Sequence, residues 1–164
     1  MASHDFRRVD VSALRWMPAA RKSIPLHSAV TVQTPPSPCT VTTFPGRHAL
    51  QLRLGGHAAH PQFLDFLGSL EDHARAAACP PPGLRLAPCV ARDGMWPTLK
   101  MSAFEGAAFF DRDGAPHADP EAMRGCECLC QVVGAWVGDG AWGLRWKVLE
   151  VKECDAPAPP MMFC

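Results

Sequence analysis

The residues of this chain best suited to chemistry are aromatics standing beside cations: Arg15-Trp16, Trp96 with Lys100, and Arg145-Trp146-Lys147. An indole face stacks on a nucleobase while lysine and arginine follow a phosphate backbone, each stacked base contributing roughly 1–3 kcal/mol. That combination points to single-stranded nucleic acid. Tryptophan is more often core, however, and Trp142 and Trp146 share an apolar stripe with Leu144. One or two of the five tryptophans are expected to face a ligand.

Cysteine is the other abundant reactive type, with eight residues. Cys126, Cys128 and Cys130 have strand spacing, so their sulfurs are expected on one face as small apolar groups. Zinc is usually held by Cys-x2-Cys pairs from turns, and no second pair with that spacing exists, so no metal is expected. His27, His48, His57, His60, His73 and His117 lack a neighbouring acidic motif and read as surface or loop residues. Asp111-Arg-Asp-Gly114 opens like a calcium loop but lacks the later ligands, which leaves a turn. There is no phosphate loop, dinucleotide fingerprint, nucleophile elbow or spaced carboxylate pair. No catalytic residue and no cofactor is therefore expected.

The elements that must position these side chains are mostly strands. Residues 22 to 33 place Ile24, Leu26, Val30 and Val32 at even positions, a strand bent or at an edge because Pro25 cannot donate to a ladder. Thr34-Pro-Pro-Ser-Pro38 breaks it, and Arg47 to Leu54 resumes the alternation. From Pro61 the period turns helical: Phe63, Phe66, Leu67, Leu70, Ala74 and Ala77 form one stripe, and Pro80-Pro-Pro-Gly83 stops it. Met95 to Phe110 reads as a strand region broken near Gly106. Cys126 to Val137 and Ala141 to Lys152 flank Gly138-Asp-Gly140 as a hairpin, with Trp142, Leu144, Trp146 and Val148 on one face and Arg145 and Lys147 on the other.

One helix midway through about five strands suits an OB-fold barrel, in which the helix plugs one end. A generic α+β sandwich would give the same pattern. The expected fold is mainly β: an OB-fold-like five-stranded Greek-key barrel with one amphipathic helix and extended termini. The division is an N-terminal extension (1–20), the barrel (21–153) and a Pro-rich tail (154–164). The 164 residues suffice for one core without staples, and equal numbers of acids and bases, 16 each, give no global field. Binding to a polyanion must come from local clustering. With neither a signal-like N-terminus nor a membrane-length apolar run, the chain reads as soluble and intracellular, with reduced thiols.

Six segments in order, Val30 to Pro35, His48 to Leu54, Phe63 to Leu70, Trp96 to Met101, Phe110 to Gly114 and Trp142 to Lys152, resemble the OB-fold single-stranded-DNA-binding proteins of nucleocytoplasmic large DNA viruses. Those proteins are themselves similar to the replisome SSB of short-tailed phages. The resemblance covers roughly residues 20 to 152. It implies sequence-tolerant binding of single-stranded DNA, without catalysis, in replication, recombination or repair of a viral genome. Lys100 and Gly143 to Lys147 are the matching positions for a DNA groove. With the aromatic and cationic neighbours, the candidate set is Lys100, Arg145, Lys147, Trp96, Trp146 and Arg53. Implied partners are single-stranded DNA and viral replication or virion proteins, with no membrane and homo-oligomerisation left open. The expected location is the host nucleus or a cytoplasmic viral factory, with packaging in the virion as a further option. The phage-type acidic tail is not matched: Phe163 is kept, but Asp155 is the tail's one acid. The competing expectation is a non-enzymatic structural or virion-associated interaction protein on the same barrel.

Overall fold

The computed structural model describes residues 4–92 and 94–156. In chain order the elements are β1 (Ser23–Gln33), β2 (Ser37–Phe44), β3 (Arg47–Arg53), α1 (His60–Ala77), β4 (Arg85–Leu86), β5 (Val90–Ala91), β6 (Thr98–Phe104), β7 (Ala108–Phe110), β8 (Gly125–Val137) and β9 (Ala141–Glu153). The strands run β4-β9-β8-β2-β3-β6-β5, with β1 also on β8 and β7 also on β9. Most pairs are antiparallel, but β4 and β7 join opposite ends of β9 in parallel. The result is a mainly β, OB-fold-like architecture with one helix, whose mixed sheet is not closed. Between β6 and β9 the ladder is missing, although the two strands lie against each other.

The predicted hairpin forms β8 and β9, and the strands at 22 to 33 and 47 to 54 form β1 and β3. One long strand was not anticipated. After the Pro-rich break, Cys39-Thr-Val-Thr-Thr-Phe44 continues as β2, burying Cys39 and Val41 while exposing Thr40 and Thr42. A Pro-Gly turn then returns the chain into β3, with Phe44 opposite Arg47. Without β2 the two halves of the sheet would not join, since β2 meets β8 at Ser37 and Pro38 and β3 from Cys39 onwards.

Strand β9 alternates as its sequence dictates, burying Trp142, Leu144, Trp146 and Val148 and exposing Arg145 and Lys147. Leu149 is then an extra residue against β8, so the phase changes and Val151 turns inward. Such bulges twist and bend a strand. Helix α1 has Pro61 in its first turn and buries Phe63, Phe66, Leu67, Leu70 and Ala74. The stripe continues through Ala78 rather than the exposed Ala77, because the helix ends there.

The expected N-terminal extension is part of this core where it is described. Phe6 is buried, its ring 5.1 Å from that of Phe63 and 5.6 Å from that of Phe66. Trp16 Nε1 donates to His73 Nδ1 at 3.1 Å. The Met17 and His27 amides tie this segment to β1 through Pro25 and Arg15 carbonyls. Of the Pro-rich tail, residues 157–164 lie outside the described residues. Among the described residues no helix is long and apolar enough to cross a membrane.

Candidate nucleic-acid interface

Register builds the site. Residues directly opposite in an antiparallel pair share a face, and β2, β3 and β6 stack in three rows: Thr40, Gln51 and Lys100; Thr42, Ala49 and Ser102; Phe44, Arg47 and Phe104. Arg53 stands on the same side, opposite Thr98. Their neighbours Val41, Leu50 and Met101 form the core on the reverse side. Among the described residues, the outward face thus carries three cations, two phenylalanines and no carboxylate. Phe104 is 57% and Phe44 42% exposed, an unusual state for such apolar rings. The Arg47 guanidinium lies over the Phe44 ring, 4.5 Å from its centroid. That cation–π contact holds the cation on the surface.

This face opens onto the seam where the sheet does not close. A cleft of about 580 Å³ lies there, lined from one side by Arg47, Gln51, Lys100 and Phe104 and from the other by Trp136, Leu144, Arg145 and Trp146. Lys100 and Arg145, distant in sequence, therefore border one space. Lys147 borders an adjoining cleft of about 350 Å³, which shares Phe104 but includes Glu105 and Glu150. Among the described residues none of Arg47, Arg53, Lys100, Arg145 and Lys147 forms an ion pair. At the border, Glu121 accepts the Thr43 amide at 2.8 Å, which holds its carboxyl below the ordinary value.

The two remaining candidates fare differently. Trp96 is half-buried, with its ring directly over Gly55; a methyl group there would lie 2.6 Å from Trp96 Cε3. Glycine is thus what lets the indole lie flat beside the end of β3. Trp146 belongs to the core as well as to the wall of the cleft. It is 7% exposed and sits in the core, because a residue next to two outward cations on a strand must itself point inward. The other indole on the cleft wall is Trp136, whose ring is packed on Gly143, where a side chain would lie 3.0 Å from it. Trp136, Phe104, Phe44 and Arg47 were absent from the sequence-based set. The alternation of β6 already placed Phe104 on the side of Lys100.

Cys126, Cys128 and Cys130 are buried on one face, as their spacing predicts, with the first two sulfurs 3.8 Å apart. Cys39 is raised by its hydrogen bond to Cys126 and by burial, and burial pushes Cys130 up to about 12. The Cys39 and Cys130 thiols therefore stay protonated at neutral pH, whereas nucleophile and metal chemistry need the thiolate. Among the described residues no three His, Cys, Asp or Glu side chains are grouped to hold a metal.

His60 is not the surface residue its sequence context suggests. It is buried, its Nδ1 accepts the His57 amide at 3.0 Å and its Nε2 lies 2.9 Å from Ser37 Oγ. Because that hydroxyl donates to the Pro35 carbonyl, Nε2 carries the proton and donates to Oγ. Burial, followed by the neighbouring His57, holds the imidazole below its ordinary value.

No family model and no curated protein matches this sequence. Among solved structures, the chain is similar to the single-stranded DNA-binding protein from bacteriophage Enc34. Against its complex with single-stranded DNA the identity is 12% and the TM-score 0.48, over 90% of this chain and 98% of that one. Against the same protein alone the values are 11% and 0.49, over 89% and 92%. A single-stranded DNA binding protein encoded by bacteriophage T7 is 10% identical with a TM-score of 0.48, over 81% of this chain and 91% of that chain.

Proposed function

We propose that this protein binds single-stranded DNA, with little regard to sequence, in the replication, recombination or repair of a viral genome. The observation that carries the reading is the outward face of β2, β3 and β6. There Arg47, Arg53 and Lys100 stand among exposed Phe44 and Phe104 without an acid among the described residues, and the face borders a cleft flanked by Arg145 and Trp136. Aromatic faces accept any base by stacking, and cations without opposing carboxylates track phosphates. The protein acts by holding the strand, not by transforming it. A large DNA virus as the source, with work in the host nucleus or a viral factory beside replication or virion proteins, follows from the resemblance of the six sequence segments.

The test is a tryptophan-fluorescence titration with oligo-dT at several salt concentrations. Saturable quenching is expected, with affinity falling as salt rises and duplex DNA competing poorly because its bases are already stacked. Absence of salt-sensitive binding at micromolar protein would overturn the reading and favour a structural, virion-associated role for the same fold.

A further inference from the structure

A second group of cations lies beyond the cleft, at the tip of the β8–β9 hairpin. Arg21 and Lys22 lead into β1, where Ser23 pairs with Trp136, and the Lys22 carbonyl accepts the Val137 amide at 2.9 Å. From another part of the chain, Arg85 pairs with Ala141, and its amide donates to the Gly140 carbonyl. All three side chains are exposed. Segments separated by some sixty residues thus deliver three cations to a single turn, whose own acid is Asp139 alone. The tip is not isolated from the proposed binding face. Trp136 pairs with Gly143 and borders the cleft together with Arg145 and Lys100.

We propose that the hairpin tip is a second segment of the single-strand path, engaged through Arg21, Lys22 and Arg85 after the strand has crossed the cleft. This rests on the reading above and adds a location: phosphates there are held by charge alone, since among the described residues the tip offers no aromatic ring to solvent beyond the half-buried Trp136. The β2–β3–β6 face spans seven residues of β3, or about 23 Å of strand. A short oligonucleotide is held on that face, and only a longer one reaches the tip.

The experiment compares oligo-dT of about 6 and about 20 nucleotides, one near the low end of the usual range for such folds and one beyond it, on wild type and on the triple variant Arg21→Ala, Lys22→Ala, Arg85→Ala. The variant should bind the short strand within about twofold of wild type. It should bind the long strand at least about tenfold more weakly, with the salt-dependence slope reduced by about 2, at roughly 0.7 per lost phosphate contact. The double variant Arg21→Lys, Arg85→Lys keeps the charge and should retain long-strand affinity, which separates charge from any effect on β1 or β4. Equal behaviour of the triple variant on both lengths, whether equally weakened or unchanged, would overturn the inference while leaving the proposed function standing. If wild type binds neither strand, it is the proposed function that fails.

Discussion

The two outer faces of the sheet carry similar cations in different company. On β2, β3 and β6, Arg47, Arg53 and Lys100 have phenylalanine, threonine and glutamine as cross-strand neighbours. On the lower part of β8 and β9, Lys152 stands directly opposite Glu127, and Lys147 shares its cleft with Glu105 and Glu150. In the second case carboxylates stand among the cations and offset their field, without closing an ion pair among the described residues. In the first case the field is left for a ligand. A chain with zero formal net charge can therefore present a cationic surface, because register, not composition, decides which charges face each other.

The strongest way to break this contrast is to reverse it. Arg47→Glu with Lys100→Glu should abolish measurable oligo-dT binding by fluorescence at moderate salt; retained binding would move the interface away from this face. Next in size, Phe104→Ala should weaken binding by about 1–3 kcal/mol, the value of one stacked base, with the salt slope unchanged. A change in slope without loss of affinity would contradict a stacking role. Acid should then loosen the face through its support. The His60 imidazole is held below its ordinary value, so the unfolded chain takes up a proton first as pH falls below about 6.5. Its contribution is complete above that pH and is lost as pH falls toward the folded value. Thermal melts should therefore drop from about pH 7.5 to about pH 5, and the drop should be shallower in His60→Gln. The smallest effect is expected on the mixed face, where Lys152→Ala should leave oligo-dT affinity within about threefold, since Glu127 directly opposite offsets its field.

Periodicity revealed what lies within one segment. The helix at 60 to 77, the bulk of the final hairpin, and the outward pointing of Arg145 and Lys147 all follow from alternation or from a 3.6-residue stripe. Strand β2 is hard to read from sequence because the prolines before it look like a terminus, although Thr40, Val41 and Thr42 alternate plainly. The aromatic part of the candidate interface is only partly legible, for a different reason. Trp146 stands beside Arg145 and Lys147 in sequence, yet adjacency on a strand separates side chains onto opposite faces. Arg47 and Phe104 come together only through the pairing of β3 with β6 across an intervening helix, a relation no local pattern encodes. The burial of His60 likewise depends on Ser37, which lies in β2.

The pairing of β1 with β8 also sets a clock. Residues 23 to 33 find their ladder partner only in residues 129 to 136, about a hundred residues later, which at 5–20 residues per second is roughly 5–20 s of synthesis. Throughout that interval a nascent segment bearing Ile24, Leu26, Val30 and Val32 is without its partner. Pro25 interrupts this stretch, which lowers its tendency to pair with another chain. The N-terminal residues that later bond to Pro25 and His27 have already been made, so one edge of the strand can be covered before its true neighbour exists.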